Sequence, residues 1–330
     1  MELLTIIIPT YKGADSLPVA LESICRQSYK KIEVIVSDDN GPGTPGQLET
    51  AKIIEHYQSK LDLVYLINEH VNGSHARNEG LKRAKGAFVS FLDDDDFYLP
   101  HYAERLAEAF VKNADADLLF FDVLVLTKEG SGRIVSNEAI SARDLLFMKK
   151  EIGSGSNICF RKKVFDESGG FEEKYFRLQD IEFIVKKLNR YRSLWINDLE
   201  VVKYYNTTDN YLNYQKSLEH YKFLRDDCVS QEIITEQEAE KLFGIQLHSL
   251  YNDSLVKNSP YKDIRTLSNL MKDRGVLTTQ DKCLRSVYRI SPSLFNLIFR
   301  TYMRMKKKKP VIANIREMLA YRKELESAKQ

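Results

Sequence analysis

The chain has 330 residues, 43% of them hydrophobic, which is enough for one large core or two ordinary domains. Lys and Arg total 49 against 47 acids, and a net charge of +2 excludes bulk attraction to nucleic acid and leaves any membrane attraction to local patches. Cys25, Cys159, Cys228 and Cys283 are far apart with no CxxC, which excludes a zinc knuckle or redox pair and fits a reducing compartment with cysteines used for packing.

Residues 3–9 are a β-branched run ended by Pro9, and residues 14–27 carry Leu17, Val19, Ala20, Leu21, Ile24 and Cys25 on a helical stripe. A second strand is predicted over 32–36, followed by the acids Asp38 and Asp39 and a turn-rich loop through Gly43. A helix over 45–60, a strand over 63–68, a helix over 74–85 and a strand over 88–92 continue the series. Such alternation predicts an α/β fold with a mostly parallel, Rossmann-like sheet flanked by helices. The loop after the first strand, Pro9-Thr10-Tyr11-Lys12-Gly13, is neither GxGxxG nor a phosphate-cradling P-loop. Any bound nucleotide must then be held by side chains at strand ends, where Thr10, Tyr11, Asp38 and Asp39 stand. Asp39 fits an acceptor for a base N–H with Tyr11 packed on the ring, and fits equally an Asx-turn aspartate beside a core-edge tyrosine.

The strand over 88–92 runs into Asp93, Asp94, Asp95 and Asp96. Four adjacent carboxylates repel one another unless a cation or a set of donors holds them, and hard oxygen ligands suit Mg²⁺ or Mn²⁺. Ligands bind at such carboxyl ends of strands in open α/β sheets. Beyond a helix over 100–113 and a strand over 117–126, a second pattern begins. Gly153-Ser154-Gly155-Ser156-Asn157 precedes a short strand over 158–161, and Gly169-Gly170-Phe171 makes a tight turn. Asp180 then stands near a helix start, where free N–H groups and the dipole stabilise an anion; a first-turn charge and a catalytic carboxylate both fit that position. His56, His70, His75, His101, His220 and His248 lack the spacing of paired metal ligands.

These motifs resemble the family-2 glycosyltransferases of the GT-A fold, of the type that builds bacterial surface polysaccharides. The resemblance is carried by Thr5-Ile6-Ile7-Ile8-Pro9-Thr10-Tyr11, Glu33-Val34-Ile35-Val36-Ser37-Asp38-Asp39, Asn72-Gly73-Ser74-His75-Ala76-Arg77-Asn78, Phe91-Leu92-Asp93-Asp94-Asp95-Asp96 and Gly169-Gly170-Phe171 with Gln179-Asp180. It spans roughly residues 3–205 and implies a nucleotide-sugar-binding and catalytic domain over 1–210. It implies that Pro9, Thr10, Tyr11, Asp38 and Asp39 hold a uracil-bearing donor, with Arg77 near the base or phosphates and Asp94 by the ribose. Asp95 ligates Mn²⁺ or Mg²⁺, Asp93 and Asp96 support the cluster, with Asp96 counted beside Asp95 at the metal, and Asp180 is the catalytic base. The implied reaction is inverting transfer of a hexosyl or N-acetylhexosaminyl group to a glycan or lipid-linked oligosaccharide in capsule, O-antigen or related synthesis. Two departures stand out: the family's usual Glu-Asp is Gln179-Asp180 here, and its Asp-Gly-Ser is Asp39-Asn40-Gly41.

Two other functions compete. Asp93-x-Asp95 after an apolar strand has the local look of an aspartate-nucleophile phosphatase, but Phe97 stands where such enzymes usually carry threonine. The other is a non-catalytic scaffold of the same fold, against which the joint presence of Asp39, Asp95 and Asp180 argues. Residues 211–330 are expected to be a helical region for acceptor, membrane or oligomer contacts, including a homodimer. Within it, residues 291–309 read as a basic amphipathic helix whose apolar face suits equally burial on the catalytic domain and the inner face of the plasma membrane. No run approaches the ~20 apolar residues that span a bilayer and no basic leader opens the chain, so the expectation is a cytoplasmic protein, peripheral at most.

Overall fold

The computed structural model of the chain describes residues 2–127, 131–205, 214–256, 259–292, 295 and 312–328. They form two compact units: residues 1–207 together with 310–330, and residues 208–309.

The first unit opens with the expected alternation: β1 (Leu4–Thr10), α1 (Leu17–Cys25), β2 (Ile32–Asp38), α2 (Pro45–Tyr57), β3 (Asp62–Ile67), α3 (Gly73–Arg83) and β4 (Phe88–Phe91). β1 and β2 are buried along their whole length, as a sheet covered on both faces requires. Helix ends follow local chemistry. Thr44 caps α2 by accepting from the Gln47 N–H, with Pro45 at the first helical position, and Asn72 caps α3 by accepting from the His75 N–H. α3 lies tight on β1: a Cβ added at Gly80 would stand 2.5 Å from Cγ2 of the fully buried Ile7. Gly80→Ala is therefore expected to destabilise the fold, because overpacking costs about 1–3 kcal/mol and the gain in helix propensity is at most about 1. A chemical-denaturation midpoint that is unchanged or raised would contradict that close packing.

After β4 the chain forms β5 (Phe97–Tyr98), α4 (Tyr102–Lys112), β6 (Leu118–Thr127), β7 (Gly132–Val135), α5 (Ala142–Leu146), β8 (Cys159–Arg161), α6 (Lys162–Ser168), α7 (Gln179–Leu188) and β9 (Ser193–Tyr205). Among the described residues the sheet runs β3-β2-β1-β4-β8-β6-β9-β5, with β7 paired to β6. Parallel pairing holds from β3 to β4 and again between β6 and β9, whereas β8 meets both neighbours antiparallel. The expected parallel sheet is thus the amino-terminal half of a mixed one. β5 follows β4 after only the acidic turn, and β8 pairs antiparallel with both β4 and β6, so neither makes the helical crossover that links parallel strands. Strand β9 was not anticipated: its apolar pattern is interrupted at Asn197 and Asp198, where its register against β6 shifts.

The helical stretch expected over 211–330 divides. In the second unit, α8 (Tyr214–Ser230), α9 (Glu236–Val256), α10 (Tyr261–Asp273) and α11 (Thr279–Ile290) surround a core that includes Leu247, Tyr251, Leu267 and Met271. The last helix, α12 (Ile312–Ser327), belongs to the first unit, where Ile315 and Leu325 pack with Val19, Leu124, Leu126 and Val202. The basic amphipathic segment over 291–309 lies outside the described residues, except Ser291, Pro292 and Phe295. Phe295 is buried edge-on to Tyr288. Among the described residues, no helix is long and apolar enough to cross a membrane.

Candidate active site

The carboxyl ends of β1, β2 and β4 and the start of α3 surround a cleft of about 300 Å³. Pro9, Thr10, Tyr11, Asp39, Arg77 and the four acids Asp93, Asp94, Asp95 and Asp96 all line it, as do Gly73, Ala76 and Lys203. Parallel sheets gather side chains in this way because the chain leaves each strand at the same edge. Tyr11 emerges from β1 with 45% of its surface exposed, and Lys12 follows in a left-handed conformation (φ 56°) with its N–H donating to Asn40 Oδ1 at 3.0 Å. Asp39 is buried, and its Oδ1 accepts from the Val71 N–H at 3.0 Å.

Protein donors divide the four acids among different tasks. Asp94 Oδ2 accepts from Thr10 Oγ1 at 2.5 Å, and Gly13 must be glycine because a Cβ there would overlap the Asp94 carboxylate. Asp93 Oδ1 accepts from Nη2 of the buried Arg77 at 2.6 Å, and that guanidinium also donates to the Gly73 carbonyl and lies over the Phe91 and Phe171 rings. Asp96 differs from the expectation of a metal ligand. Its Oδ2 accepts from Ser154 Oγ at 2.5 Å and Ser156 Oγ at 2.7 Å, and its Oδ1 from the Tyr204 N–H at 3.0 Å. With both oxygens occupied and the side chain buried, Asp96 holds the acidic turn against the serine loop and β9. Asp95 is the most solvent-exposed of the four.

Crowding of these charges shows in their acidities. Burial, followed by the charges of Asp93 and Asp96, raises Asp94 to about 7 against the usual carboxylate range despite its Thr10 hydrogen bond. The walls of the cleft, then Asp93 and Asp94, raise Asp95 to about 7 even though its side chain reaches solvent. Burial, then Asp95 and Asp93, raises Asp96 to about 8, and the Lys203 charge on β9 works in the opposite sense on both Asp95 and Asp96.

Asp38 also departs from the expectation. Its carboxylate is fully buried and does not line the cleft; Oδ1 accepts from the Asn40 backbone and side-chain N–H groups, and Oδ2 from Tyr65 Oη at 2.6 Å. It shapes the loop that carries Asp39 and Asn40. Asp180 stands in the first turn of α7, half-buried, with Oδ1 accepting from the Ile181 N–H at 2.9 Å, and it does not line the cleft. Its neighbour Gln179 does reach the rim, since Nε2 lies 3.5 Å from where a Gly73 side chain would begin. The segment leading into α7 is pinned to α3: Asn72 Nδ2 donates to the Glu173 carbonyl, Ser74 Oγ to the Tyr175 carbonyl, and Asn78 exchanges two hydrogen bonds with the Phe171 backbone. Leu178 turns the chain into the helix in a left-handed conformation (φ 60°), a strained choice for a leucine.

Residues 5–169 match the sequence pattern of glycosyl transferase family 2. The chain belongs to that family. Among its family-2 relatives, the chain is 29% identical over 241 residues to the GalNAc(5)-diNAcBac-PP-undecaprenol beta-1,3-glucosyltransferase of Campylobacter jejuni, covering 70% of this chain and 68% of that one. It spans 48 to 62% of the length of other curated relatives, uncharacterized glycosyltransferases of Haemophilus influenzae and two Rickettsia species. S. aureus TarS 1-349 in complex with UDP-GlcNAc is similar with a TM-score of 0.60 at 17% identity, covering 93% of each chain. Mannosyltransferase PcManGT from Pyrobaculum calidifontis, in complex with GDP-Man and Mn²⁺, gives 0.51 at 18% identity, covering 90% of this chain and 87% of that one. At these identities the structural likeness shows the GT-A fold alone.

One cleft residue of this family-2 chain, and one that packs against the cleft's Tyr11, escaped the sequence analysis. Lys203 belongs to the unanticipated β9, so a correct strand assignment would have aligned it with Val125 on β6 near the acidic turn. His70 was set aside for lacking a metal-ligand partner, yet its ring stacks on Tyr11.

Proposed function

We propose that this family-2 protein is an inverting, divalent-cation-dependent glycosyltransferase. It would move a hexose or N-acetylhexosamine from a uridine diphosphate sugar to a hydroxyl of a glycan or lipid-linked oligosaccharide. The observation that carries the reading is the convergence in one cleft of an exposed aromatic ring, a base-facing acid, a buried arginine and a crowded acidic turn, from Tyr11, Asp39, Arg77 and Asp93 to Asp96. Each of these serves a different part of a nucleotide sugar.

Tyr11 offers a flat face to the base and Asp39 an acceptor for its N–H. The donor set fits a divalent cation: Asp95 presents hard oxygen atoms to the cleft, and the raised acidities of Asp94 and Asp95 express charge repulsion that a cation relieves. Bound there by Asp95, with Asp94 and Asp93 beside it, Mn²⁺ or Mg²⁺ would supply charge neutralisation for the diphosphate leaving group. Arg77 fixes Asp93 and so keeps the acidic turn in one arrangement, and Lys203 adds positive charge on the far wall. The Asp180 carboxylate takes the proton of the acceptor hydroxyl while that oxygen bonds to the anomeric carbon. The bond from that carbon to the diphosphate oxygen breaks as attack comes from the opposite face, which inverts the configuration and releases the nucleoside diphosphate.

Proton competition gives a signed prediction. The raised acids retain protons in the folded protein that the unfolded chain releases near pH 4, so their contribution to stability is present in acid and is lost as pH rises through about 7 to 8 without cation. Cation binding runs the other way. With Asp95 at about 7, apparent Mn²⁺ affinity is expected to rise about tenfold from pH 6 to pH 8, and a flat titration profile would contradict the assignment.

The direct test of activity is release of uridine diphosphate from UDP-sugars with Mn²⁺, run with a free saccharide and with the same saccharide on a polyprenyl diphosphate. Acceptor-dependent release supports the transferase, and preference for the polyprenyl form supports a lipid-linked acceptor met at a membrane surface. Robust hydrolysis of a simple phosphate ester without transfer would instead favour the phosphatase.

A further inference from the structure

We propose that the imidazole of His70 occupies the nucleobase subsite of the donor-free protein and that the base displaces it. The inference rests on the uridine reading above. Three observations carry it.

The His70 ring lies nearly parallel to Tyr11, with centroids 4.4 Å apart and an interplanar angle of 12°. Its Nδ1 sits 2.8 Å from the Asp39 carbonyl oxygen and 3.3 Å from Asp39 Oδ2. Because both neighbours are acceptors, Nδ1 is assigned as the protonated nitrogen. A flat heteroaromatic ring on Tyr11, with its N–H on the Asp39 backbone carbonyl and 3.3 Å from the carboxylate, stands close to where the donor site would place a uracil, whose N3–H lies on one ring edge. The imidazole is therefore a stand-in for the base, supplied by the protein.

Access to Asp39 supports displacement over side-by-side binding. Asp39 is only 3% exposed, and its Oδ1 is already taken by the Val71 N–H, so the oxygen left for a base is Oδ2, the one beside His70. A base cannot pair with Oδ2 while the imidazole covers it. Leaving is easy for His70, whose side chain is already 51% exposed on a surface loop. The arrangement gives Oδ2 of this buried carboxylate a polar neighbour before the donor arrives, beside the Val71 N–H already on Oδ1. It also filters the donor: a base replaces the imidazole without loss only if it brings an N–H to that edge. Uracil brings one at N3, whereas cytosine presents an acceptor at N3 and must shift to offer its exocyclic amine.

The closing experiment follows the His70 ring protons by NMR, assigned among the six histidines as the signals missing from His70→Ala. In the free protein they are expected upfield, shielded by the Tyr11 ring. Saturation with UDP and the diamagnetic Mg²⁺ should return them to ordinary positions, and CDP at the same concentration should leave them shielded. Calorimetry on the full chain should give His70→Ala a UDP affinity about three- to tenfold tighter than wild type, since an occupant populated several-fold over the open state lowers apparent affinity by that factor. His70 signals that stay shielded at UDP saturation, or weaker UDP binding by His70→Ala, would overturn the proposal. If calorimetry shows a different nucleoside diphosphate binding in place of UDP, the uridine reading fails by itself. The same signals, followed with that ligand, still decide whether His70 is displaced.

Discussion

Asp95→Ala is expected to abolish sugar transfer and to remove metal-dependent binding of the donor. Asp95 is the most exposed residue of the acidic turn, whereas Thr10, Arg77 and the Ser154–Ser156 pair already hold oxygens of Asp94, Asp93 and Asp96. Without Asp95 nothing equivalent faces the diphosphate, and its developing charge goes unneutralised. A loss of at least about 10³-fold in turnover, or about 4 kcal/mol of transition-state stabilisation, is the expected scale for removing such electrostatic support. Excess chelator should reduce the wild type to the same level. Asp96→Ala makes an informative contrast: it takes the acceptor from two serine O–H donors and the Tyr204 N–H, so its damage should appear as lost thermal stability, at about 1–3 kcal/mol per buried group. Wild-type turnover in Asp95→Ala, or in chelator, would refute the cation's role.

Asp180→Asn should behave differently, with donor binding kept and turnover lowered by about 10² or more. A general base contributes about 10²- to 10⁴-fold, and asparagine keeps the size of the side chain and an oxygen for the Ile181 N–H while removing the basicity. Donor affinity should hold because Asp180 does not line the cleft; the adjacent Gln179 is the one that approaches Gly73. Single-turnover kinetics with UDP affinity measured in parallel separates the two effects. A collapse of UDP affinity in this variant would make Asp180 a binding residue.

The amino-terminal half was legible because each β-branched run and each helical stripe in it is continuous, and because parallel strands bring their loops to one edge without further information. That reasoning collected Pro9, Thr10, Tyr11, Asp39 and the acidic turn at one cleft. It could not divide the labour among the acids, because the donors that decide it come from far along the chain. Ser154 reaches Asp96 across 58 residues, and Tyr204 across 108. Asp38 looked equivalent to Asp39 for a related reason. Asp38 ends β2 and Asp39 begins the loop, and only Tyr65, 27 residues later on β3, reveals that Asp38 faces inward. Strand β9 was hidden by its irregular stretch at Asn197 and Asp198, and Lys203 was hidden with it. α12 carries a weak amphipathic signal, and its membership of the first unit comes from packing against Leu124, Leu126 and Val202, which local pattern does not encode.

The central claim, that one cleft binds a uridine diphosphate sugar through a divalent cation, is tested most directly by thermal denaturation of the wild-type chain with UDP, with Mn²⁺, and with both. Ligand at about 100 times its Kd adds about 2.7 kcal/mol to the folded state, which for a chain of this size raises Tm by about 4 °C. The account predicts that rise for UDP and Mn²⁺ together, little for either alone, and its loss in Asp95→Ala. The same rise with UDP in excess chelator, or none with both present, would contradict it.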